Sequence, residues 1–308
     1  MRATVSKDGR ALLRDVATDR PMTIIQVIVG GLLLGAVYAL FSSGLTLIWG
    51  MMNVINFAHG EFVMIGMYLA FLIVTFLHGG PLAFGPAAAA LLFLLGIVVY
   101  YALIRHVMRG PMLAQILSTF GLALLLRYLA FYIFTADFKT LPQDLLPGVI
   151  NVGGILIGVP QFVAGIVAIV LTVGLHLLLT RTAVGSQLLA VAEDRQAAML
   201  MGIRPDRMQA IAWGLSGAGA GIAGALIATF YYISPTVGES LALTAFVVVA
   251  LGGFGSVPGA LAAGLMVGVI QSLSAYLLGP VYKDIIVYGL FVAILWVRPE
   301  GLFGKAGA

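Results

Sequence analysis

The sequence predicts an all-α, polytopic membrane helix bundle of about 8–10 spans, one of them broken or re-entrant, in two related halves. Two observations carry that prediction. Of 308 residues, 61% are hydrophobic and only 9% charged, too few polar side chains to cover the outside of a soluble domain. The apolar residues also fall in separate runs, most of them near the ~20 residues that cross about 30 Å of hydrocarbon. The 39 glycines fit membrane helices that pack through small side chains. The absence of Cys excludes disulfides and thiolate metal sites, and the 4 His are scattered, so no metal site is expected. A net charge of +4 does not point to nucleic acid in a chain of this class.

Residues 1–21 carry Arg2, Lys7, Arg10, Arg14 and Arg20 against Asp8, Asp15 and Asp19. This is a basic N-terminal tail without the cleavage site of a signal peptide. It reads either as a cytoplasmic tail or as a non-native start ahead of Met22. The membrane domain is 22–304, with apolar runs at 22–45, 46–58, 59–77, 86–105, 111–135, 161–180, 209–232, 239–255, 258–278 and 281–297. Basic loops orient them toward the cytoplasm. Arg105 and Arg109, the charged stretch 181–208, and Arg298 with Lys305 mark the inside. The uncharged 78–86 turn and the loop 136–160, with Asp137, Lys139 and Asp144, belong outside. Both termini are then cytoplasmic, which requires 22–58 to cross twice, with Ser42, Ser43, Gly44 and Gly50 breaking the helix ahead of a short segment 46–58. The alternative is one crossing with the tail outside. The halves pair 22–58 with 209–255 and 59–105 with 258–297.

The charged stretch holds Arg181, Glu193, Asp194, Arg195, Arg204, Asp206 and Arg207. Residues 186–201 predict one amphipathic helix closed by Gly202, and Pro205 starts the next. Its apolar residues Leu188, Leu189, Val191, Met199 and Leu200 call for something to dock against; otherwise it is a solvated loop. A second cluster, NVINFAHGEF, puts Asn53, Asn56, His59 and Glu61 in an apolar region. Such residues are costly in hydrocarbon unless paired or lining water. They either glue helices or line a substrate path, and Asn53, Asn56 and Glu61 are expected to face the bundle or a partner subunit and not lipid. Glu61 is expected to accept from the Asn side chains or from freed backbone N–H groups, and His59 to be a hydrogen-bonded structural residue. In LGGFGSVPGA, residues Gly252, Gly253 and Gly255 form a bend or gate, or a tight turn between spans. Arg127 is expected to snorkel to the outer interface. Glu239 is expected at an outer helix end, where it could help dock an external protein. The glycines at 217–224 read as a helix contact face. No G-x-x-x-x-G-K-[ST] loop is present, so the chain has no ATP site of that kind, and no catalytic set suggests an enzyme.

Four ordered motifs carry a resemblance: MNVINFAHGEFVMIGMY at 52–68, AVAEDRQAAMLMGI followed by WGLSGAGAGIAGAL, VVALGGFGSVPGALAAGLMVG at 248–268, and VRPEGLFG at 297–304. Together they resemble the LivH-type permeases, membrane subunits of branched-chain amino-acid ABC importers of the bacterial inner membrane. The resemblance implies a second related permease, two cytoplasmic ATPases and an extracytoplasmic binding protein, with no cofactor in this chain. It implies that the ATPases dock on Glu193, Asp194, Arg195, Ala197 and Gly202 and move the helix 186–201 to give alternating access. Thr244 departs from it, since a Lys is expected there. A permease for urea, short amides or other amino acids remains open. So does an ion-coupled transporter, for which Glu61 is the candidate carboxylate, and a non-transporting membrane protein is the remaining class.

Overall fold

The computed structural model describes residues 7–108, 110–142, 145–298 and 301, with side chains from residue 22 onward except that of Leu82. Arg109, Asp144, Lys305 and residues 1–6 of the basic tail lie outside the described residues. In order, the helices are α1 (Lys7–Met52), α2 (His59–Leu77), α3 (Pro81–Val99), α4 (Arg105–Val107), α5 (Met112–Phe134), α6 (Val159–Arg181), α7 (Ala183–Glu193), α8 (Arg195–Leu200), α9 (Pro205–Ile227), α10 (Val237–Gly252), α11 (Val257–Leu278) and α12 (Lys283–Val297). A π turn, Tyr100–Ile104, joins α3 to α4. Among the described residues, 7 helical stretches are long and apolar enough to cross a membrane. Helices α10 and α12 add shorter ones of 16 and 15 residues. The all-α polytopic bundle is therefore as the composition requires.

The expected double crossing of 22–58 does not occur, because α1 runs unbroken to Met52. The residues read as breaks have other uses. Ser43 Oγ donates to Leu40 O at 2.6 Å, within its own helix. Gly44 admits a neighbour: a Cβ there would lie 2.8 Å from Ser216 Cα, and one at Gly50 would lie 2.8 Å from Gly255 Cα. The helix ends at Asn53, whose φ of +52° is in the left-handed region.

The chain then re-enters the bundle without helix. His59, the first residue of α2, lies 2.7 Å from Phe41 O and 3.5 Å from Ser216 Oγ. Ser216 is midway along α9, and Phe41 stands ~16 Å up α1 from Met52 at 1.5 Å per residue. Residues 53–58 therefore climb to mid-depth, well within the ~20 Å that six extended residues can span. Irregular backbone is tolerated there because the protein supplies its partners. Ile55 O accepts from Thr119 Oγ1 of α5 at 2.9 Å, and Ala58 N donates to Asn56 Oδ1 at 3.1 Å. Helix α10 also follows a non-helical stretch, 228–236, and its Gly238 packs on Gly60. The N-termini of two interrupted helices thus meet inside the bundle.

Helix α9 is the buried centre. Its glycine face is the contact surface expected at 217–224: Gly217 meets the Leu92 backbone, Gly221 that of Ala88 and Gly224 that of Val63. Trp213 is fully buried there and its Nε1 has no hydrogen-bond partner among the described residues. Trp213→Phe is therefore expected to leave thermal stability unchanged or slightly higher, whereas Trp213→Ala, which opens a cavity, is expected to lower it by about 3–5 kcal/mol. Thermal denaturation of the purified variants measures both.

The two ends of the bundle differ. At one, Leu47 and Met51 of α1 pack with Leu188, Val191 and Ala198 of α7 and α8. Gly301 meets Ala250 and Gly253 at that same end. At the other, strands β1 (Val149–Val152) and β2 (Ile155–Gly158) form an antiparallel hairpin closed by Gly153 and Gly154, with φ of +61° and +94°. A Cβ on Gly154 would lie 2.9 Å from Met22 Sδ. Met22 and the α7–α8 pair are therefore at opposite ends.

Candidate functional site

The structure gathers most of the NVINFAHGEF cluster but not all of it. Asn56, His59 and Glu61 are buried. Asn53 is exposed at the end of α1, where its backbone is left-handed, and so does not face the interior of this single chain. His59 is hydrogen-bonded structurally, as expected: its Nε2 donates to the carbonyl of Phe41. Asn56 Nδ2, Ser42 Oγ and Glu61 Oε2 are buried without a hydrogen-bond partner among the described residues.

The expected Asn or backbone donors to Glu61 are replaced by Arg127. Glu61 Oε1 accepts from Arg127 Nη2 at 2.7 Å and Nε at 3.1 Å, and Arg127 Nη1 donates to Glu239 Oε2 at 2.8 Å. A carboxylate on each side thus holds Arg127. Glu61 and Glu239 occupy the first turns of α2 and α10, where the helix dipole also favours negative charge. One guanidinium thus ties three helices, α2, α5 and α10, at the point where two of them begin.

A cavity of about 890 Å³ opens between the hairpin and the helices. Its walls include Leu33, Leu34, Ile227 and Leu241, and its polar side carries Gln271, Lys283 and Asp284. Tyr38 Oη donates to Gln271 Oε1, and Gln271 Nε2 donates to Asp284 Oδ1, each at 2.7 Å. Thr244 lies on this wall with its hydroxyl bonded to Ser240 O at 2.9 Å. Burial, and then its hydrogen bond with Tyr232, pushes the Tyr231 phenol above its ordinary pKa, so it stays neutral at the cavity edge.

At the opposite end, the expected single helix 186–201 is two helices. Asp194 leaves the helical region at φ −148° and its Oδ1 accepts from Gln196 N at 2.8 Å and Ala197 N at 3.0 Å. Asp194 is thus the N-cap of α8, a role for which Asp is well suited and which competes with helix continuation. Gly202 closes α8 as expected, at φ +80°, with Gly202 N donating to Met199 O and Ile203 N to Ala198 O. The apolar residues divide. Leu188 and Val191 are buried against the bundle, while Leu189, Met199, Leu200 and Met201 are exposed. Glu193, Asp194, Arg195 and Ala197 are also exposed. Arg195 and Arg105 converge on Asp206 at 3.2 and 3.0 Å. Asp194→Ala is expected to cost α8 about 1 kcal/mol while Asp194→Asn keeps the cap. Hydrogen exchange over 195–201 reads the difference.

A family model described as "Branched-chain amino acid transport system / permease component" matches residues 27–295. The chain belongs to that family. It is 33% identical to the high-affinity branched-chain amino acid transport system permease protein BraD of Pseudomonas aeruginosa, over 91% of this chain and 96% of that protein. It is also 33% identical to the corresponding permease protein LivH of Escherichia coli K12, over 94% of this chain and 98% of that protein. A partial match, 36% identical over 46% of this chain and 43% of the relative, is to the fructose import permease protein FrcC of Rhizobium meliloti. No solved structure matches.

In this permease, Gly252 ends α10, and Gly253 and Gly255 form the turn to α11. Gly253 and Gly255 have φ of +85° and +80°, which side chains disfavour. Ser256 Oγ caps α11 by accepting from Gly259 N at 3.1 Å, and Gly255 N donates to Thr46 Oγ1 at 2.9 Å. The turn is thereby fastened to the end of α1. The residues that sequence reasoning missed are Tyr38, Gln271, Lys283 and Asp284. Their signal was polar residues within apolar runs, but their convergence depends on packing between α1, α11 and α12.

Proposed function

We propose that this permease is one half of the translocation unit of an ATP-driven ABC importer for branched-chain amino acids in a bacterial inner membrane. A second, related permease completes the path, and two cytoplasmic ATPases bind the α7–α8 pairs. An extracytoplasmic binding protein delivers substrate. The observation that supports this most is the α7–α8 pair itself, seated by Leu188 and Val191 on the end of the bundle while Leu189, Met199, Leu200 and Met201 face outward. A helix pair anchored in this way transmits a push from a docked partner to α1, α9 and the α10–α11 turn. Gly252, Gly253 and Gly255 then act as the bend through which α10 and α11 respond. Asn56, with its unpartnered amide nitrogen, and Glu61 stand beside the path, and His59 fixes the start of α2 there. Asn53 is exposed at the end of α1, open to the path or to the second permease.

With α7–α8 cytoplasmic, Arg105 and Arg298 share that side, and the hairpin, the cavity and Met22 lie outside. The single crossing of α1 favours this over a cytoplasmic start of the membrane domain. This chain supplies no ATP chemistry of its own. An ion-coupled mechanism is disfavoured because Glu61, the buried carboxylate among the described residues, already has Arg127 as its partner. Permeases for urea, short amides or other amino acids share the architecture, and uptake assays with those solutes distinguish them.

Glu193→Ala combined with Arg195→Ala is expected to cut leucine uptake severalfold in cells making the whole importer, with membrane insertion retained. Uptake at the wild-type rate would refute docking at this pair. The chain lacks Cys, so topology can be tested cleanly. Gly80→Cys is expected to react with an impermeant thiol reagent from outside, and Arg195→Cys only after the membrane is opened.

A further inference from the structure

We infer that the cavity at the hairpin end is a zwitterion site, in which Asp284 takes the α-ammonium of an amino acid and Lys283 its α-carboxylate. The inference rests on the transport reading above and names the residues that read the substrate. Three features of the cavity lead to it. Asp284 is held in place: Gln271, itself buried, donates to its Oδ1 at 2.7 Å and is fixed in turn by Tyr38. Its Oδ2 has no hydrogen-bond or ion-pair partner among the described residues. Lys283 lines the same cavity and likewise has no partner among them. Although adjacent in sequence, the two charges do not pair with each other, so each is available to a ligand.

The rest of the wall sets the ligand class. The volume, about 890 Å³, lies within the range of small-molecule sites. Leu33, Leu34, Ile227 and Leu241 offer an apolar surface to a side chain. A zwitterion entering an apolar cavity would lose hydration at both ends, and a cavity carrying one carboxylate and one ammonium restores both. A sugar or urea would leave both charges of the protein unpaired, which is how a polar site rejects the wrong ligand.

The test is equilibrium binding of tritiated leucine to the purified full-length permease in lipid nanodiscs. The competitors are the oxo-acid analogue, which lacks the ammonium, and the decarboxylated amine, which lacks the carboxylate. Asp284→Asn keeps the Gln271 hydrogen bond and is expected to weaken leucine about tenfold, with the oxo acid unaffected. Lys283→Gln is expected to weaken leucine to a similar degree, with the amine unaffected. A uniform loss for all three ligands, no loss, or the absence of saturable leucine binding by the wild type overturns the inference. Leucine uptake by the assembled importer is measured separately. Uptake without this binding pattern removes the site and keeps the transport reading; the binding pattern without uptake does the reverse.

Discussion

Arg127→Met is expected to destabilise the permease by about 3–5 kcal/mol, because it leaves a buried carboxylate alone. The Glu61 side chain is 2% exposed and accepts two hydrogen bonds from Arg127 through Oε1. Without the guanidinium, Glu61 either stays charged and unpaired or takes up a proton, and both outcomes cost stability. Adding Glu61→Gln to Arg127→Met is expected to recover much of the loss, since the buried charge is then gone. Glu239→Gln makes a useful contrast. That side chain is 64% exposed, and solvent-screened pairs contribute only about 0–1 kcal/mol. Thermal denaturation in detergent ranks the variants. Uptake should fall in the same order, because the cluster fixes the starts of both interrupted helices. An Arg127→Met protein that melts with the wild type would show that the cluster is not what holds α2, α5 and α10 together.

Gly264→Leu is expected to prevent α1 and α11 from packing, with little folded protein recovered. The helices cross through Gly31 and Gly35 on one and Gly264 and Gly268 on the other, small residues four apart on both. A Cβ at Gly264 would already lie 2.8 Å from Ala39 N and 2.9 Å from its Cα. The obstacle is backbone, which cannot turn aside as a flexible side chain can. Overpacking in a well-packed core costs about 1–3 kcal/mol even where side chains can shift, and here the whole crossing must separate. Gly289→Leu is the control. Among the described residues nothing lies within 4 Å of a Cβ at that position on α12, and the variant should behave as wild type on size exclusion. Comparable recovery of the two variants would contradict the close crossing.

Span lengths were legible because the cost of exposing polar backbone in hydrocarbon leaves helix as the open choice for long apolar runs. The run 59–77 is α2 to the residue, and 258–278 differs from α11 by one. What failed depends on partners distant in sequence. Gly44 and Gly50 were read as breaks, whereas Ser216 and Gly255 explain them as contacts. The true interruption, at Asn53, was close to the expected one but moved all of 46–52 into α1. Arg127 and Glu239 looked like isolated interfacial charges because 66 residues separate Arg127 from Glu61 and 112 from Glu239. The break at Asp194 was local and could have been seen, since Asp is a strong N-cap and a poor residue for a helix interior. The hairpin also had a local signal, Gly153–Gly154 between apolar runs, inside a loop otherwise rich in turn residues. The cavity could not be seen at all, because Tyr38, Gln271 and Asp284 meet only after α1 and α11 cross through their glycines.

On the proposed function, this permease passes branched-chain amino acids by work done in partner ATPases. The most direct measurement is leucine uptake into proteoliposomes holding the complete importer, with binding protein outside and ATP inside. Uptake is expected to need both ATP and the binding protein and to be indifferent to proton or sodium gradients. Uptake driven by an ion gradient without ATP would contradict the proposed function.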